Sequence, residues 1–297
     1  MFCTLDFLAR KEHLLSSIAA QLRQEITFRA AQYAQQNGVP FRRSHCDFGS
    51  VVFVPYADNS HGNFHVASYR TILKRPIWRK RLSKVLTVSE RLSLSEDDRR
   101  LCELDSCCSS DALLMNIFCH PRVRNSPQLL GMLGVDKRAT PIFGWRARVP
   151  LHGDAVDRTE VDMKFGNLFV EAKLTESSFE SCALARMQAY ADFREVFRLD
   201  QLRRSGRQYR CYQLLRNVLA AEAHKAAFCL LTDARRIDLI DSWYEVLAAI
   251  RPMDLRVRCK LLTFQELSQA LPRSLREFLE QKYGIAAVAA ASTAVGY

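Results

Sequence analysis

The sequence predicts an α/β protein carrying a helical N-terminal lobe. Three observations lead there. Residues 5–36 repeat apolar side chains at spacings of three and four, the period of an amphipathic helix. From about residue 88, helical patterns alternate with short apolar runs of strand length. Among them, residues 159–173 read TEVDMKFGNLFVEAK, two alternating segments joined by Gly166-Asn167, a two-residue hairpin signal.

Each element follows from local pattern. The first helix ends at NGVP, where Gly38 and Pro40 break it. GSVVFVPY (49–56) reads as a short strand and ADNSHGN (57–63) as a loop. A basic stretch, YRTILKRPIWRKRLSK (69–84), completes a lobe placed at residues 1–87. The core is placed at 88–285. SEDDRRLCEL opens it as a helix with Ser95 as cap and acids in the first turn. SSDALLMNIF (109–118) is helical, and TPIFGWRARV (140–149) is a strand with a glycine interruption. SSFESCALARMQAYADF (177–193) reads as an amphipathic helix, with Ser177 and Glu180 at capping-box spacing. Residues 207–223 are helical, and AAFCLLTD (226–233) has the apolar run of a buried strand. Residues 241–250 are helical, 255–264 form a strand, and 265–283 are helical. An Ala-rich tail occupies 286–297.

Composition narrows the function classes. At 297 residues, 48% hydrophobic and 25% charged, the chain has the make-up of a globular protein. No apolar run reaches bilayer length, and the N-terminus lacks the basic and apolar regions of a secretory signal. A cytoplasmic location without membrane contact is expected. The ten cysteines read as reduced, buried small hydrophobes. Zinc at CELDSCC (102–108) with Cys119 and His120 is a minor alternative, since no paired C-x-x-C motif occurs.

The net charge of +11 favours a polyanionic partner. Arg70, Lys74, Arg75, Arg79, Lys80 and Arg81 are candidate nucleic-acid contacts in the first basic stretch, interleaved with Tyr69 and Trp78. Arg203, Arg204 and Arg207 are the candidates in DQLRRSGRQYR (200–210). Basic groups neutralise phosphates, and aromatic or guanidinium planes stack on bases. The alternative for both stretches is a solvated helix face.

The hairpin is the most informative segment. With Gly166-Asn167 as its loop, Phe165 faces Leu168, Met163 faces Val170, Asp162 faces Glu171 and Glu160 faces Lys173. Alternation puts Val161, Met163, Phe165, Leu168, Val170, Ala172 and Leu174 on one apolar face, and Glu160, Asp162, Lys164, Phe169, Glu171 and Lys173 on the other. Carboxylates opposed at about 5 Å repel, yet can share a divalent cation. Asp162, Glu171 and the Ala172 carbonyl, with waters and a substrate phosphate, would make a Mg²⁺ site that also accepts Mn²⁺. Lys173 would orient a water and stabilise phosphate charge. The alternative is a solvent-facing strand with chance Glu–Lys pairing.

Asp162, followed on the next strand by Glu171-Ala172-Lys173, resembles the PD-(D/E)XK nuclease superfamily, the restriction-endonuclease-like fold. The order helix, strand, hairpin, helix, strand agrees over roughly residues 95–285. SSDALLMNIF, EAKLTESSF, YQLLRNVLAA and residues 61–84 are similar to standalone bacterial members. The resemblance implies a central mixed β-sheet flanked by helices, Mg²⁺ on Asp162 and Glu171, and Lys173 as catalytic lysine. Gln213, Arg216 and Asn217 would line the site, or else pack a helix on the sheet. Val161 stands where the family name has proline. Glu103 and Asp105 are weak candidates for a further acid from the first core helix. Glu160 is expected to pair with Lys173, with a place in the site as the alternative. Asp154 and Asp157 read as turn residues, and His152 and His224 as structural.

The function expected is metal-dependent hydrolysis of phosphodiester bonds in nucleic acid, with DNA as the favoured substrate. A catalytically silent nucleic-acid-binding module on the same fold is the alternative. A third reading is an interaction protein whose charged hairpin face is only solvated. A homodimer is compatible with a site that cuts one strand, though no residue requires it.

Overall fold

The computed structural model describes residues 3–44, 50–56, 58–85, 102–136 and 139–287, with side chains from residue 18 onward. The first helix, α1 (Cys3–Gln36), stops at Asn37 and Gly38, whose φ of +62° turns the chain at little cost. A two-stranded ribbon follows, Phe41–Arg43 against Val51–Phe53. The first basic stretch folds as α2 (Val66–Leu73) and the short turns Pro76–Arg79 and Lys80–Ser83. Ser109 caps α3 (Ser110–Phe118) by accepting from the Ala112 N–H. Residues 95–101 of the expected Ser95-capped helix and the tail from residue 288 lie outside the described residues, and Glu103–Asp105 form a short 3-10 turn.

The core sheet has five strands: β1 (Pro141–Arg146), β2 (Glu160–Phe165), β3 (Leu168–Lys173), β4 (Ala227–Thr232) and β5 (Cys259–Thr263). Their spatial order is β5-β4-β3-β2-β1. Strands β3, β4 and β5 run parallel, while β1–β2 and β2–β3 are antiparallel, so the sheet is mixed. Three more helices complete the frame: α4 (Tyr212–Ala223), α5 (Ile237–Ala249) and α6 (Arg273–Tyr283).

The sheet separates two apolar layers. Met163, Val170 and Leu231 pack with Ile26 of α1, Ile72 of α2, Phe118 of α3 and Leu279 of α6. Phe169, Phe228 and Leu230 pack with Leu215 of α4 and Trp243 of α5. The N-terminal helices therefore share a core with the sheet. Because β3 is covered on both faces, every one of its side chains is buried.

The two aromatics of the first basic stretch belong to this core and not to a surface that could stack on bases. Trp78 is fully buried, donates Nε1–H to the Pro141 carbonyl at 3.0 Å, and carries the Arg75 guanidinium over its ring at 4.5 Å. Tyr69 stacks on Phe64. Arg70, Lys74, Arg79 and Lys80 do face solvent.

Several elements differ from the sequence expectation, each through tertiary pairing. Residues 177–193 are not one helix. Glu180 turns at φ +57°, Ser181–Ala183 pairs antiparallel with Gln208–Arg210, and only Leu184–Gln188 and Phe193–Val196 are helical. That pairing also takes residues 208–210 out of the following helix, which starts after Cys211 at φ +60°. Residues 253–258 are helical and precede a shorter β5, and Pro272 divides the last helical stretch in two. Among the described residues, no helix is long and apolar enough to cross a membrane.

Trp78→Ala should cost about 3–5 kcal/mol in denaturant unfolding, the range for a large buried ring. Arg79→Ala at the exposed neighbour should change stability by less than about 0.5 kcal/mol. Equal small effects would return Trp78 to the surface.

Candidate active site

The β2–β3 hairpin has the register read from its turn. Phe165 pairs with Leu168, Lys164 with Phe169 and Met163 with Val170. Gly166 supplies a positive φ of +60°. Beyond Met163 the ladder stops. Asp162 does not continue it opposite Glu171; its carboxylate reaches across and accepts the Ala172 N–H at 2.7 Å. The side chain thus takes the place of a ladder bond and is drawn toward Glu171.

The expected apolar face also breaks here. Val161 packs with Phe169 and Trp145 on the α4 side, away from Met163. Gly144, opposite on β1, has φ +62°. Phe143 and Trp145 on either side of it belong to different layers, so β1 and β2 change faces together at this kink.

Glu171 and Lys173 point from β3 toward α4 and are 2% and 6% exposed. The charged face is therefore not a solvated one. Lys173 Nζ lies 2.9 Å from Glu171 Oε1, and Asn217 Nδ2 donates to Glu171 Oε2 at 2.6 Å. Arg216 donates Nε–H and Nη2–H to Asn217 Oδ1, at 3.2 and 2.9 Å, and Nη2–H also to the Glu160 carbonyl at 3.0 Å. Since the Asn217 oxygen is taken by a guanidinium, its NH₂ must face the carboxylate. A neighbouring pair on one helix turn thus orients Glu171.

Glu160 does not pair with Lys173. Its carboxylate binds Arg81 Nη1 at 3.0 Å and lies 3.7 Å from Arg146. Arg81 also binds Asp111 at 2.7 Å, and Lys84 bridges Asp111 and Glu103 at 2.9 Å each. Arg81 passes close to Gly144, where an added Cβ would meet its guanidinium and the Glu160 carboxylate. Of the two acids expected from the first core helix, Glu103 holds Lys84 and Asp105 holds His61 Nε2 at 3.1 Å. The acid whose field reaches Asp162 is Asp111, in the first turn of α3. Its signal was present in the sequence: an acid two residues after the cap Ser109, opening a largely apolar helix.

These residues surround a cleft of about 390 Å³, lined by Arg81, Lys84, Asp162, Glu171, Lys173 and Gln213 among others. Among the described residues, Gln213 Oε1 has no hydrogen-bond partner although the atom is buried. Burial, then Glu171, then Asp111 push the Asp162 carboxyl well above the ordinary carboxylate range. Burial opposes the charge of Lys173, but Glu171, Glu176 and Asp162 outweigh it and raise its pKa. Asp111 is held low, its burial being outweighed by Lys84 and Arg81. Buried Glu171 and half-buried Asp162 therefore face one lysine, and Asp162 lacks a counter-charge of its own.

The other expected residues lie apart. Arg203 pairs with Glu245, Arg204 sits over Tyr209 at 4.8 Å, and Arg207 is exposed. His224 contacts the Ala147 carbonyl at 2.6 Å and packs on Trp145, while Asp157 accepts from Thr159 and Tyr190. The described cysteines from Cys102 to Cys259 are free thiols. Among the described residues, no cluster of three or more His, Cys, Asp or Glu side chains could hold a metal.

Fold and site together define an α/β protein with a mixed five-stranded sheet and a buried carboxylate–lysine cleft at its centre. The family described as Restriction Endonuclease associating with ARP (REase-ARP) matches residues 14–284, and the chain belongs to it. No curated protein and no solved structure matches the chain.

Asp162→Asn should stabilise the metal-free fold. The folded-state pKa of Asp162 is raised, so its protonated form favours folding fully below the unfolded value of about 4, and that advantage fades as pH rises. Asparagine keeps the acceptor for Ala172 N–H without the charge. Thermal melts in EDTA should show equal stability near pH 4 and a gain of roughly 2 °C or more for the variant at pH 8. A gain present only at acid pH would contradict the assignment.

Proposed function

We propose that the chain is a metal-dependent nuclease of the PD-(D/E)XK type, with Asp162, Glu171 and Lys173 as its catalytic set and DNA as its substrate. The observation that carries the reading is the uncompensated carboxylate. Asp162 and Glu171 are drawn together at the base of a cleft whose walls hold Arg81 and Lys84. An arrangement that leaves Asp162 short of positive charge suits a hard divalent cation bound by oxygen. Asp162 and Glu171 would hold Mg²⁺, or Mn²⁺ in its place, with the Ala172 carbonyl as a further oxygen. Two carboxylates, with waters and a phosphate, fit Mg²⁺, which seldom uses an all-protein cage. Bound there, the ion would polarise a phosphate oxygen and lower the pKa of water.

The chain's own residues do the rest. Asn217 fixes the rotation of Glu171, and Arg216 fixes Asn217. Lys173 stays protonated and places its charge beside the scissile phosphate, favouring the more charged transition state. Arg81 and Lys84, already anchored to Asp111, Glu103 and Glu160, stand on the cleft wall without needing to reorganise. Gln213 Oε1 offers an acceptor for an attacking water. Arg70, Lys74, Arg79, Lys80 and Arg207 would hold the nucleic-acid backbone, positioning the substrate without reading its sequence.

A second reading, a silent nucleic-acid-binding module, is favoured by one observation: the direct Lys173–Glu171 ion pair already neutralises one of the carboxylates. Cleavage separates the two.

Plasmid and single-stranded DNA should be cut with Mg²⁺ or Mn²⁺ and left intact in EDTA. Glu171→Ala should reduce cutting at least about a hundredfold, and Lys173→Ala should do the same while retaining metal binding by calorimetry. Salt-sensitive binding without cutting would establish the silent module. Arg79→Ala with Lys80→Ala should lower the slope of log K against log salt by about one unit for each phosphate no longer neutralised. An unchanged slope would remove these residues from the interface.

A further inference from the structure

A second concavity, of about 340 Å³, opens between the end of α1 and Tyr56 with residues 58–62. It shares no lining residue with the Asp162–Glu171 cleft. Its walls include four aromatic rings, Tyr33, Tyr56, Phe64 and Tyr69. Phe64 and Tyr69 are stacked, with centroids 5.4 Å apart and planes at 27°. Phe278 braces Tyr33 edge-on at 5.6 Å. The ring faces are thus set by core packing before any ligand arrives. Gly62 lets the loop lie this close: a Cβ there would collide with both Phe53 and Val39.

Two polar side chains stand at this mouth. Among the described residues, Tyr56 Oη has no hydrogen-bond partner although the atom is buried, a cost that phenylalanine would avoid. Asp58 at the rim accepts from Ser60 N–H at 2.9 Å and from Ser60 Oγ at 2.6 Å, both through Oδ1. Those bonds engage Oδ1 and hold the carboxylate at the rim, within the field of Arg70. Arg70, on α2, lines the same mouth.

We infer that this pocket binds a nucleobase bearing an exocyclic amino group. Tyr33 and Tyr56, the two partly exposed rings, offer a stacking surface, which every base can use, while Phe64 and Tyr69 belong to the core. The carboxylate accepts from an amino edge, as carboxylates do from cytosine N4. Thymine and uracil present N3–H between two carbonyl oxygens, which the carboxylate repels. The tyrosine hydroxyl supplies one donor for a ring nitrogen or carbonyl, and Arg70 can meet the adjoining phosphate. The same chemistry arises from a free nucleotide or from a base turned out of a strand. The strand source rests on the reading that the chain acts on nucleic acid.

The test uses the full chain in EDTA, so that nothing is cut. AMP, CMP, GMP and UMP are titrated by calorimetry, and a single-stranded oligonucleotide carrying 2-aminopurine is followed by fluorescence. Saturable binding is expected, with the amino-bearing nucleotides at least tenfold tighter than UMP, or quenching of 2-aminopurine, or both. Mononucleotide binding alone identifies a free-nucleotide site, and quenching alone identifies a base presented by a strand. Tyr56→Phe and Asp58→Asn should each weaken binding about fivefold to tenfold, while Tyr56→Phe melts no lower than the parent. Absence of both binding and quenching, or equal binding in both variants, overturns the inference. Cleavage measured in parallel keeps the two readings apart. Cutting without pocket binding rejects only this inference, and pocket binding without cutting rejects only the nuclease.

Discussion

Glu171 and Lys173 sit on a strand covered on both faces, so two charges are taken out of water at the centre of the molecule. Ion pairs buried in this way recover their desolvation cost only when hydrogen bonds satisfy what remains. Much of the surrounding structure supplies that satisfaction. Asn217 closes the second oxygen of Glu171. The end of β3 is tied down by Thr232 Oγ1 donating to the Lys173 carbonyl and Arg236 Nη1–H donating to the Leu174 carbonyl. Glu176 accepts from Leu174 N–H and from Ser110 Oγ, which joins the strand to the helix bearing Asp111. Arg236 is itself fully buried and paired with Asp238. The charged site is thus rigid at its backbone as well as at its side chains.

Asp162 is the exception to this satisfaction. It gains one backbone N–H and faces two acids, so its ionised form is disfavoured. A protein under selection for stability alone would place asparagine or an apolar residue there. Sites that retain such a penalty are candidates for function. The cost is localised where the ladder ends and where Gly144 bends the neighbouring strand, so the rest of the sheet stays regular.

The basic charge of the chain divides into two populations. Arg81, Lys84 and Arg216 are built into the cleft and offset its acids. Arg70, Lys74, Arg79, Lys80 and Arg207 remain in solvent. Both populations come from segments that look alike in composition. The difference arises because Trp78 is pulled into the core against Pro141 and Phe143, and this turns Arg81 inward while leaving Arg79 and Lys80 outside. The segment that carries surface charge is therefore also the one that closes the site.

The features legible along the chain were local ones. The hairpin register follows from a two-residue turn and a period of two, and both are properties of adjacent residues. Helix α1 with its glycine stop, the cap of α3, and the apolar strand β4 were legible for the same reason. The place of Asp162, Glu171 and Lys173 on one hairpin was legible too, because their separation is set by that turn. Which charges are buried, and which partners they meet, depended on long-range packing. Asp111, Arg81 and Asn217 lie far along the chain from the hairpin, and no periodicity links them to it. The split of residues 177–193 was hidden likewise, since the distant strand Gln208–Arg210 competes for its backbone hydrogen bonds. Pairing energy between distant segments overrode helix propensity there, and the same long-range packing gathered the site.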